Sequence, residues 1–382
     1  MAKSGLTVLQ VIPELAAGGA ERTTLEIVEA LKAAGGRALV VSEGGRMEDE
    51  LAQFGGELIR MPVKTKNPLA IHKHAGLLAQ IIRQEGVDLI HARSRAPAWS
   101  ALWAARRTGI PFVTTYHGAY GGKSAPKKLY NSVMARGDKV IANSDYIADH
   151  IRNTYRLPEA RLITIPRGVD THIFDPIKAD PARVSALRSE LGKPDRFLFI
   201  LPGRLTSWKG QMVLIDALAE LSDAEKAHFQ VALIGDAQGR DDYLAALTSR
   251  IAENGLDDLV KITGHSSDMV NLYAAADLVL APSTRPEAFG RIAIEAGAMQ
   301  RPVIVSDHGG QRETVVDGET GWRVKPGDPA DLARAIGAYL GLSTAERQNM
   351  GRKARTNVER QFTKSGLQRA TLEVYQSLLS GE

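Results

Sequence analysis

The stretch LVLAPSTRPEAFGRIAIEAG, residues 278–297, indicates both the fold and the kind of ligand. A short apolar run ends at Ser283, an irregular link follows, and a helical pattern begins after Gly290. Glu287 and Glu295 flank this strand-to-helix turn, and the glycine lets the backbone approach a ligand closely. The free N–H groups and positive dipole of the helix start suit a phosphate, whereas carboxylates accept hydrogen bonds from sugar hydroxyls. The turn therefore predicts a site for a nucleotide-sugar.

Apolar, β-rich runs alternate with helical patterns along the chain. Helical patterns cover residues 20–34, 71–85 and 96–108, among others. Near-continuous Val/Ile/Leu runs separated by helices are typical of parallel sheets covered on both faces. The runs occupy residues 7–13, 37–42, 57–61, 88–93, 111–117, 139–143, 162–166, 197–203, 230–235, 260–264, 278–282 and 302–307. We therefore expect an α/β protein.

The pattern breaks once, at residues 175–195, where Pro, Asp and other charged residues interrupt it. We expect two doubly wound, Rossmann-like domains, residues 1–180 and 181–361, facing each other across a cleft. A C-terminal helix over 362–382 is expected to pack back on the first domain. Because ligands of open parallel sheets lie beyond the carboxyl ends of the strands, residues at those ends are the candidates for function.

Length and composition are those of a soluble two-domain protein. The chain has 382 residues, 44% of them hydrophobic and 24% charged. Cys is absent, which excludes a disulfide framework, a thiolate zinc site and a Cys nucleophile. No apolar run approaches the roughly 18 residues of a spanning helix. Gln10, Pro13 and Glu14 interrupt the first apolar run, so we interpret it as a strand rather than a signal and expect a cytoplasmic protein.

Charge is uneven between the two halves. Residues 1–180 hold 24 Lys and Arg against 18 Asp and Glu, while the rest of the chain holds 24 against 26. Lys123, Lys127 and Lys128 form a basic segment near two tyrosines. These features favour an anionic partner, such as a phosphorylated acceptor or anionic lipid at the inner face of the cytoplasmic membrane, although a solvated basic loop is the alternative. No nucleic-acid partner is expected.

The run LPGRLTSWKGQ, residues 201–211, places two cations at one strand end. Arg204 offers a planar fork and Lys209 a compact charge, and Gly203 and Gly210 flank them. Together the two cations can neutralise a diphosphate. The alternative is a solvated basic loop.

Two features of the first half lie at strand ends as well. Gly18 and Gly19 open a helix after the first strand, where their backbone could touch a donor phosphate; a plain turn is the alternative, because G-x-G-x-x-G is absent. His117 ends the fifth strand and can bond a sugar hydroxyl or carbonyl. The following GAYGGKS, residues 118–124, has only three residues where a phosphate-binding loop needs four, so we reject an NTPase.

A metal site is not predicted. His72 and His74 have no carboxylate motif around them, and Asp-x-Asp is missing from the strand ends. Cations and a helix start would do the electrostatic work of a metal. We therefore expect no required cofactor other than the nucleotide-sugar substrate.

These motifs together resemble glycosyltransferase family 4, whose members are retaining enzymes of the GT-B fold. The second half carries the resemblance in GR-x4-KG, GDAQG, VKITGH and E-x7-E. The first half carries it in GGAER, DLIHARS, TTYHG, VIANSDY and IPRGVDTHIF. The resemblance covers nearly the whole chain, and the order and spacing of the motifs are more specific than any one of them.

The resemblance implies roles for individual residues. Arg204 and Lys209 would bind the donor diphosphate and stabilise the leaving group, Glu287 would bond the donor sugar, and Glu295 would hold the ribose hydroxyls. His117 would contact the transferred sugar. The remaining expected donor contacts come from short polar or glycine-rich segments, namely Gly18, Gly19, Gly203, Gly264, His265, Ala288, Phe289, Gly290 and Arg291.

Two residues depart from the family pattern. Arg167 stands where many relatives carry Asn, and Arg291 follows FG where an apolar residue is frequent. The resemblance implies a hexosyltransferase that moves a sugar from a UDP- or GDP-linked donor to a glycan or lipid-linked acceptor, as in lipopolysaccharide or other surface-polysaccharide synthesis. The open alternatives are a nucleotide-sugar epimerase of the same fold and a non-catalytic sugar-nucleotide-binding protein. The missing dinucleotide fingerprint disfavours a dehydrogenase.

Overall fold

The apolar runs of the first half form one parallel sheet in the computed structural model, which describes residues 5–16, 18–122 and 124–380. Its seven strands are β1 (Thr7–Val11), β2 (Arg37–Ser42), β3 (Glu57–Arg60), β4 (Leu89–Ala92), β5 (Phe112–Tyr116), β6 (Lys139–Ala142) and β7 (Leu162–Thr164). They lie in the order β3-β2-β1-β4-β5-β6-β7. All neighbours are parallel, as in Leu9 opposite Leu39.

The second half forms another parallel sheet with the same winding. Its six strands are β8 (Phe197–Pro202), β9 (Phe229–Ile234), β10 (Val260–Thr263), β11 (Leu278–Ala281), β12 (Val303–Ser306) and β13 (Gly321–Val324). They lie in the order β10-β9-β8-β11-β12-β13. In both sheets the chain leaves a central strand toward one edge and then returns to build the other. The expected α/β fold with two doubly wound sheets is confirmed.

Helices connect the strands and bury their apolar sides against the sheets. Within the described residues they are α1 (Gly19–Ala33), α2 (Glu48–Gln53), α3 (Pro68–Glu85), α4 (Arg95–Thr108), α5 (Ala125–Asn131), α6 (Asp145–Tyr155), α7 (Pro181–Leu191), α8 (Gln211–Glu220), α9 (Asp223–Lys226), α10 (Asp241–Glu253), α11 (Met269–Ala275), α12 (Arg291–Ala298), α13 (Pro329–Gly341), α14 (Thr344–Gln361) and α15 (Lys364–Ser380). Short 3₁₀ turns cover Ser132–Arg136, Glu159–Arg161, Pro176–Lys178 and Gly310–Thr314.

Local sequence explains where these helices begin and end, as α3 shows. The Asn67 side chain accepts a hydrogen bond from the Leu69 amide at 2.9 Å, and Pro68 stands at the first helical position, where its missing N–H costs nothing. Gly86 ends the helix in the left-handed conformation at φ 62°. Between these ends, one apolar side of the helix is buried, formed at helical spacing by Ile71, Ala75, Leu78, Ala79 and Ile82.

The chain divides into two compact units. The first unit comprises the chain through Arg167 together with α15, and the second comprises Gly168–Thr363. The sequence boundary was expected at residues 180 and 181, but residues 168–180 belong to the second unit. Asp175 forms an ion pair with Arg355 at 3.0 Å, for example. A run that is loop-like in sequence is thus held by long-range contacts that only the fold creates.

The C-terminal helix belongs to the first unit, but its predicted start at residue 362 is wrong. Phe362 ends α14, its carbonyl accepts a hydrogen bond from the Val169 amide at 2.8 Å, and its ring packs in the second unit. The helix begins at Lys364. Tyr375 then anchors it to the first sheet, because its hydroxyl lies 2.6 Å from Nδ1 of the buried His91. Residues 381 and 382 of the predicted helix lie outside the described part of the chain.

Candidate functional site

An ion pair between Lys209 and Glu287 lies at the carboxyl end of the second sheet. Lys209 follows β8 and Glu287 follows β11, which are neighbours in the sheet. The Lys209 Nζ is 2.8 Å from the Glu287 Oε1, and the two side chains are only 13% and 15% exposed. The Ser283 hydroxyl also donates to this carboxylate oxygen at 2.6 Å. Two of the predicted residues, far apart in sequence, are therefore in direct contact.

Glycine at position 210 makes this contact possible. Gly210 has φ 84°, a left-handed conformation that favours glycine. A β-carbon at this position would lie 2.0 Å from the carbonyl oxygen of Pro282. The loop that carries Lys209 can therefore press against the end of β11 only with glycine here. The Lys209 ammonium also lies 4.7 Å from the ring centre of Trp208, a cation–π contact that further restricts the side chain.

A second pair of glycines supports the turn that holds Glu287. The Gly310 amide donates to the Glu287 carbonyl at 2.8 Å. A β-carbon on Gly309 would lie 2.5 Å from that same oxygen, and one on Gly310 would lie 2.3 Å from the Ala288 carbonyl oxygen. Sequence reasoning did not identify Gly309 and Gly310, although the GG pair just after a buried apolar run was an available signal.

The start of α12 lies directly after this turn. Its N-cap, Gly290, has φ 104°, and among the described residues no side chain caps the helix start. Phe289 is buried and packs edge-to-face on Phe362, with ring centres 5.7 Å apart. The Phe289 side chain therefore anchors the turn in the core, and its expected donor contact is left to the backbone. Uncapped N–H groups at the positive end of a helix suit an anion.

Glu295 is held from two sides. The Tyr273 hydroxyl donates to one carboxylate oxygen at 3.0 Å, and the Arg291 Nε lies 3.3 Å from the other. Burial, reinforced by the charge of Glu295, raises the pKa of Tyr273 well above its ordinary value, so the phenol remains a hydrogen-bond donor. The carboxylate is thus fixed in orientation, and each oxygen retains a lone pair that can accept from a ligand.

The other predicted residues of this unit make fewer contacts with Lys209, Glu287 and Glu295. Arg204 is exposed, and its guanidinium makes no hydrogen bond or ion pair within the described residues. It lines a cavity of about 440 Å³ beside Trp208 and Arg240. Gly203 has φ 141°, and a β-carbon there would lie 3.7 Å from the Lys209 side chain.

Gly264 and His265 are exposed residues beyond the edge strand β10. In the described part of the chain, no hydrogen bond or ion pair joins either residue to Lys209, Glu287 or Glu295. Their expected place beside the nucleobase remains a prediction.

In the first unit, Arg167 connects two predicted residues. Its Nη2 lies 3.0 Å from Nδ1 of His117. A β-carbon on Gly19 would lie 1.5 Å from its Nη1, so the guanidinium occupies the space that any side chain at Gly19 would need. Gly18 is the N-cap of α1, with φ 155°. Sequence reasoning noted Arg167 only as a departure from the family pattern, and its contact with His117 was not foreseen.

His117 is held as a neutral ring with one defined tautomer. Burial, and then the positive charges of Arg167 and Arg93, lower the pKa of His117 well below its ordinary value. Arg167 can only donate, so Nδ1 must accept and the proton must reside on Nε2. The buried Nε2 has no hydrogen-bond partner within the described residues. His117 therefore offers an unused N–H donor.

His117 lines a cavity of about 930 Å³ in the first unit. Aromatic and neutral polar residues line part of this cavity, including Tyr120, Tyr130 and Asn131. Its walls also carry Glu14, Glu21 and five cations, which are Lys64, Lys66, Arg93, Arg95 and Lys127. Of the predicted basic segment, Lys127 lines the cavity and Lys128 is exposed, while Lys123 lies outside the described residues.

The described residues lack two features, a cluster of metal ligands and a membrane-spanning helix. They contain no group of three or more His, Cys, Asp and Glu side chains arranged to hold a metal ion. None of their helices combines the length and apolarity needed to cross a membrane.

Comparisons with known families match both halves of the chain. Residues 17–173 match the family described as Glycosyltransferase Family 4, and residues 184–357 match the one described as Glycosyl transferases group 1. A relative from Salinispora arenicola, D-inositol 3-phosphate glycosyltransferase, is 33% identical over 79% of this chain and 71% of its own length. Across relatives of that name, the matches span 60% to 71% of the relatives' lengths.

Solved structures match over nearly the full chain. A glycosyltransferase from Rickettsia africae is 35% identical, with a TM-score of 0.92 over 99% of this chain and 100% of its own. Anabaena Alr3699/HepE, in complex with UDP and glucose, is 26% identical, with a TM-score of 0.83 over 97% of this chain and 100% of its own. The chain therefore belongs to glycosyltransferase family 4 and has the GT-B fold of these nucleotide-sugar-dependent enzymes.

Proposed function

We propose that the protein is a retaining hexosyltransferase that moves a sugar from a UDP-linked donor to a hydroxyl of a glycan or lipid-linked acceptor. The observation that carries the proposal is the contact between Lys209 and Glu287 beside the uncapped start of α12. This contact brings a cation, a carboxylate and backbone N–H donors together at the carboxyl edge of the second sheet. These are the groups that a diphosphate and a sugar ring require.

The reaction must expel a nucleoside diphosphate from the anomeric carbon of the donor sugar. Charge builds on the diphosphate as the sugar becomes oxocarbenium-like. Lys209 donates one of its three N–H bonds to Glu287, which leaves two for the diphosphate oxygens. Arg204 and the amides at the start of α12 add positive potential. These groups would stabilise the transition state more than the ground state, because the leaving-group charge grows during the reaction.

The two glutamates would hold the donor at its two sugars. Glu287 would accept from hydroxyls of the transferred sugar, and Glu295 would accept from the ribose. The UDP and glucose bound to the Anabaena neighbour support a uridine nucleotide and a hexose. Because cationic side chains of the protein would neutralise the negative charge of the leaving group, we propose that no metal cofactor is required. Transfer that survives EDTA would support this point, and transfer restored only by a divalent ion would contradict it.

His117 would bond a hydroxyl of the transferred sugar through its Nε2–H. Retention then follows if the acceptor hydroxyl enters on the leaving-group side, where the departing phosphate can take its proton. The acceptor itself has two candidates. The basic first half favours a membrane-borne surface-glycan acceptor at the inner face of the cytoplasmic membrane, whereas the name of the Salinispora relative favours a phosphorylated polyol.

Incubation with a panel of UDP- and GDP-sugars tests the donor assignment. Slow donor hydrolysis, or transfer to an added acceptor, supports a glycosyltransferase. Isomerisation without an acceptor would show an epimerase, and binding without turnover would show a binding protein. NMR of the product's anomeric proton would reveal whether configuration is retained. Lys209→Ala should reduce transfer strongly while the fold stays intact, and Lys325→Ala is its matched control, since Lys325 is an exposed lysine of the same unit.

A further inference from the structure

The cavity of the first unit contains positive charge that the fold itself does not balance. Of its two acids, Glu14 is already paired with Lys64 at 2.7 Å. The two arginines of the lining, Arg93 and Arg95, form no ion pair within the described residues. They come from the end of β4 and the start of α4, and the cavity wall also includes Ser94 between them.

Arg93 is a buried charge with mostly neutral surroundings. It is 2% exposed, and its Nε and Nη2 donate to the amide oxygen of Gln10 at 2.9 and 2.6 Å. Burial lowers the pKa of Arg93, and the Tyr375 phenol together with the charge of Glu26 opposes that effect only in part. Burying a cation without a paired anion is costly. A counter-charge brought by a ligand would remove much of that cost.

Arg95 stands where local helix energetics disfavours a cation. It is the first residue of α4, a 14-residue helix with no acidic residue in its first turn and no side-chain cap within the described residues. The positive end of a helix repels a positive side chain. The Arg95 guanidinium is nevertheless fixed there, 4.2 Å from the ring centre of Tyr120 and bonded to the Asn131 side chain at 3.0 Å.

We propose that this cavity binds an acidic group of the acceptor, a phosphate or a carboxylate, between Arg93, Arg95 and the amide start of α4. Two guanidiniums and a helix dipole converge on a space that His117 also lines. This inference rests on the proposed transferase function and adds the chemical class of its acceptor.

Calorimetric titration tests the site without knowledge of the natural acceptor. The probes are glucose 6-phosphate, glucuronate and uncharged glucose, each titrated into the full chain with saturating UDP so that the donor cations are occupied. At least one acidic probe should bind at least about tenfold more tightly than glucose and should weaken as salt is raised. Comparing glucose 6-phosphate with glucuronate shows whether the site prefers a phosphate or a carboxylate. Equal affinity for all three probes, or no binding of either acidic probe, overturns the proposal.

Two variants on one helix localise the effect. Arg95→Gln removes one charge at the cavity and should weaken the acidic probe by about tenfold to a hundredfold, as expected for a lost charge-assisted hydrogen bond. Arg106→Gln removes an exposed charge in the last turn of the same helix and should bind like the wild type. Arg95 is half-buried, so its variant is a safer test than one at the buried Arg93. Wild-type affinity in Arg95→Gln overturns the proposal.

The titration also separates this inference from the proposed function. UDP binding and donor hydrolysis report on Lys209 and Glu287 in the other unit. If they fail while acidic probes bind through Arg95, the donor assignment is wrong and the anion site stands. If donor turnover is normal while Arg95→Gln leaves acidic-probe binding unchanged, the transferase stands and the acidic acceptor is wrong.

Discussion

Replacing Lys209 by Met separates what its ion pair does for stability from what its charge does for transfer. Met keeps much of the aliphatic volume and removes the ammonium. In the variant the Glu287 carboxylate would remain largely buried, and it would retain the hydrogen bond from the Ser283 hydroxyl at 2.6 Å. The single change therefore removes a charge from the proposed diphosphate site and also leaves a charge of the opposite sign without its partner.

The stability loss can be estimated from burial. Removing one partner of a fully buried pair costs about 3–5 kcal/mol. The two side chains here are 13% and 15% exposed, and Glu287 keeps one hydrogen bond, so we expect the free energy of unfolding to fall by about 2–3 kcal/mol. Transfer should fall by a factor of about 10²–10³, the usual effect of removing one donor that stabilises transition-state charge.

The double variant Lys209→Met with Glu287→Gln distinguishes the two effects. The amide is neutral, so stability should return to within about 1 kcal/mol of the wild type, because no charge is left unpaired. Transfer should stay at least as low as in the single variant, because the cation is still missing. Urea unfolding by circular dichroism gives the stability, and UDP release gives the turnover. Lys325→Met serves as the control for a lost exposed lysine.

Either of two outcomes would refute the reasoning. If the double variant regains transfer together with stability, neither the Lys209 ammonium nor the Glu287 carboxylate is needed for transfer. If Lys209→Met is destabilised yet turns over normally, the Lys209–Glu287 pair only stabilises the fold, and the Lys209 charge does not stabilise the leaving group.

Three further predictions concern other parts of the molecule. Burial and two nearby cations, Arg167 and Arg93, lower the pKa of His117, and Arg167→Gln removes one of those cations, so this pKa should rise and the acid limb of the pH–rate profile should move toward neutrality; an unmoved limb contradicts this coupling. Gly210→Ala should lower the unfolding free energy by at least about 2 kcal/mol more than Gly239→Ala in urea unfolding, since both have positive φ but only the first new β-carbon meets backbone. Glu295→Gln should weaken UDP about tenfold in calorimetry with little change in turnover at saturating donor, and unchanged affinity would remove its ribose role.

The sheets could be predicted from sequence because their strands are nearly all aliphatic. Each of the twelve predicted runs contains a strand of the structure. The strand at Gly321–Val324 was missed, since GWRV offers no aliphatic run. Its pairing is set by β12 instead: a β-carbon on Gly321 would lie 2.0 Å from the Val303 carbonyl oxygen. Close backbone approach of this kind is a property of the packed pair and leaves little trace in a four-residue window.

The candidate site was only partly predictable, for a similar reason. Parallel strands present their carboxyl ends on one edge, which is why Lys209 and Glu287 could be expected to lie near each other. The residues that hold the two glutamates could not be predicted, because Gly309, Gly310 and Tyr273 act through contacts that helix and strand packing create. Arg167 illustrates the same limit. Its sequence context marks a departure from a family pattern, but only the fold shows that it meets His117.

Helix starts in this chain include two contrasting kinds. Helices α9 and α14, which follow other helices, begin with capping boxes at Ser222 and Ser343. In contrast, α4, α8 and α12 have no acidic residue in their first turn and carry Arg95, Lys209 and Arg291 at or just before their starts, although other helices that follow strands, such as α6 and α10, do begin with acids. Local energetics favours the first arrangement, since acids and caps satisfy a helix start and cations do not. Three exceptions at the carboxyl edges of two sheets are explained together if those edges bind anions, which supports a diphosphate at one and an acidic acceptor at the other.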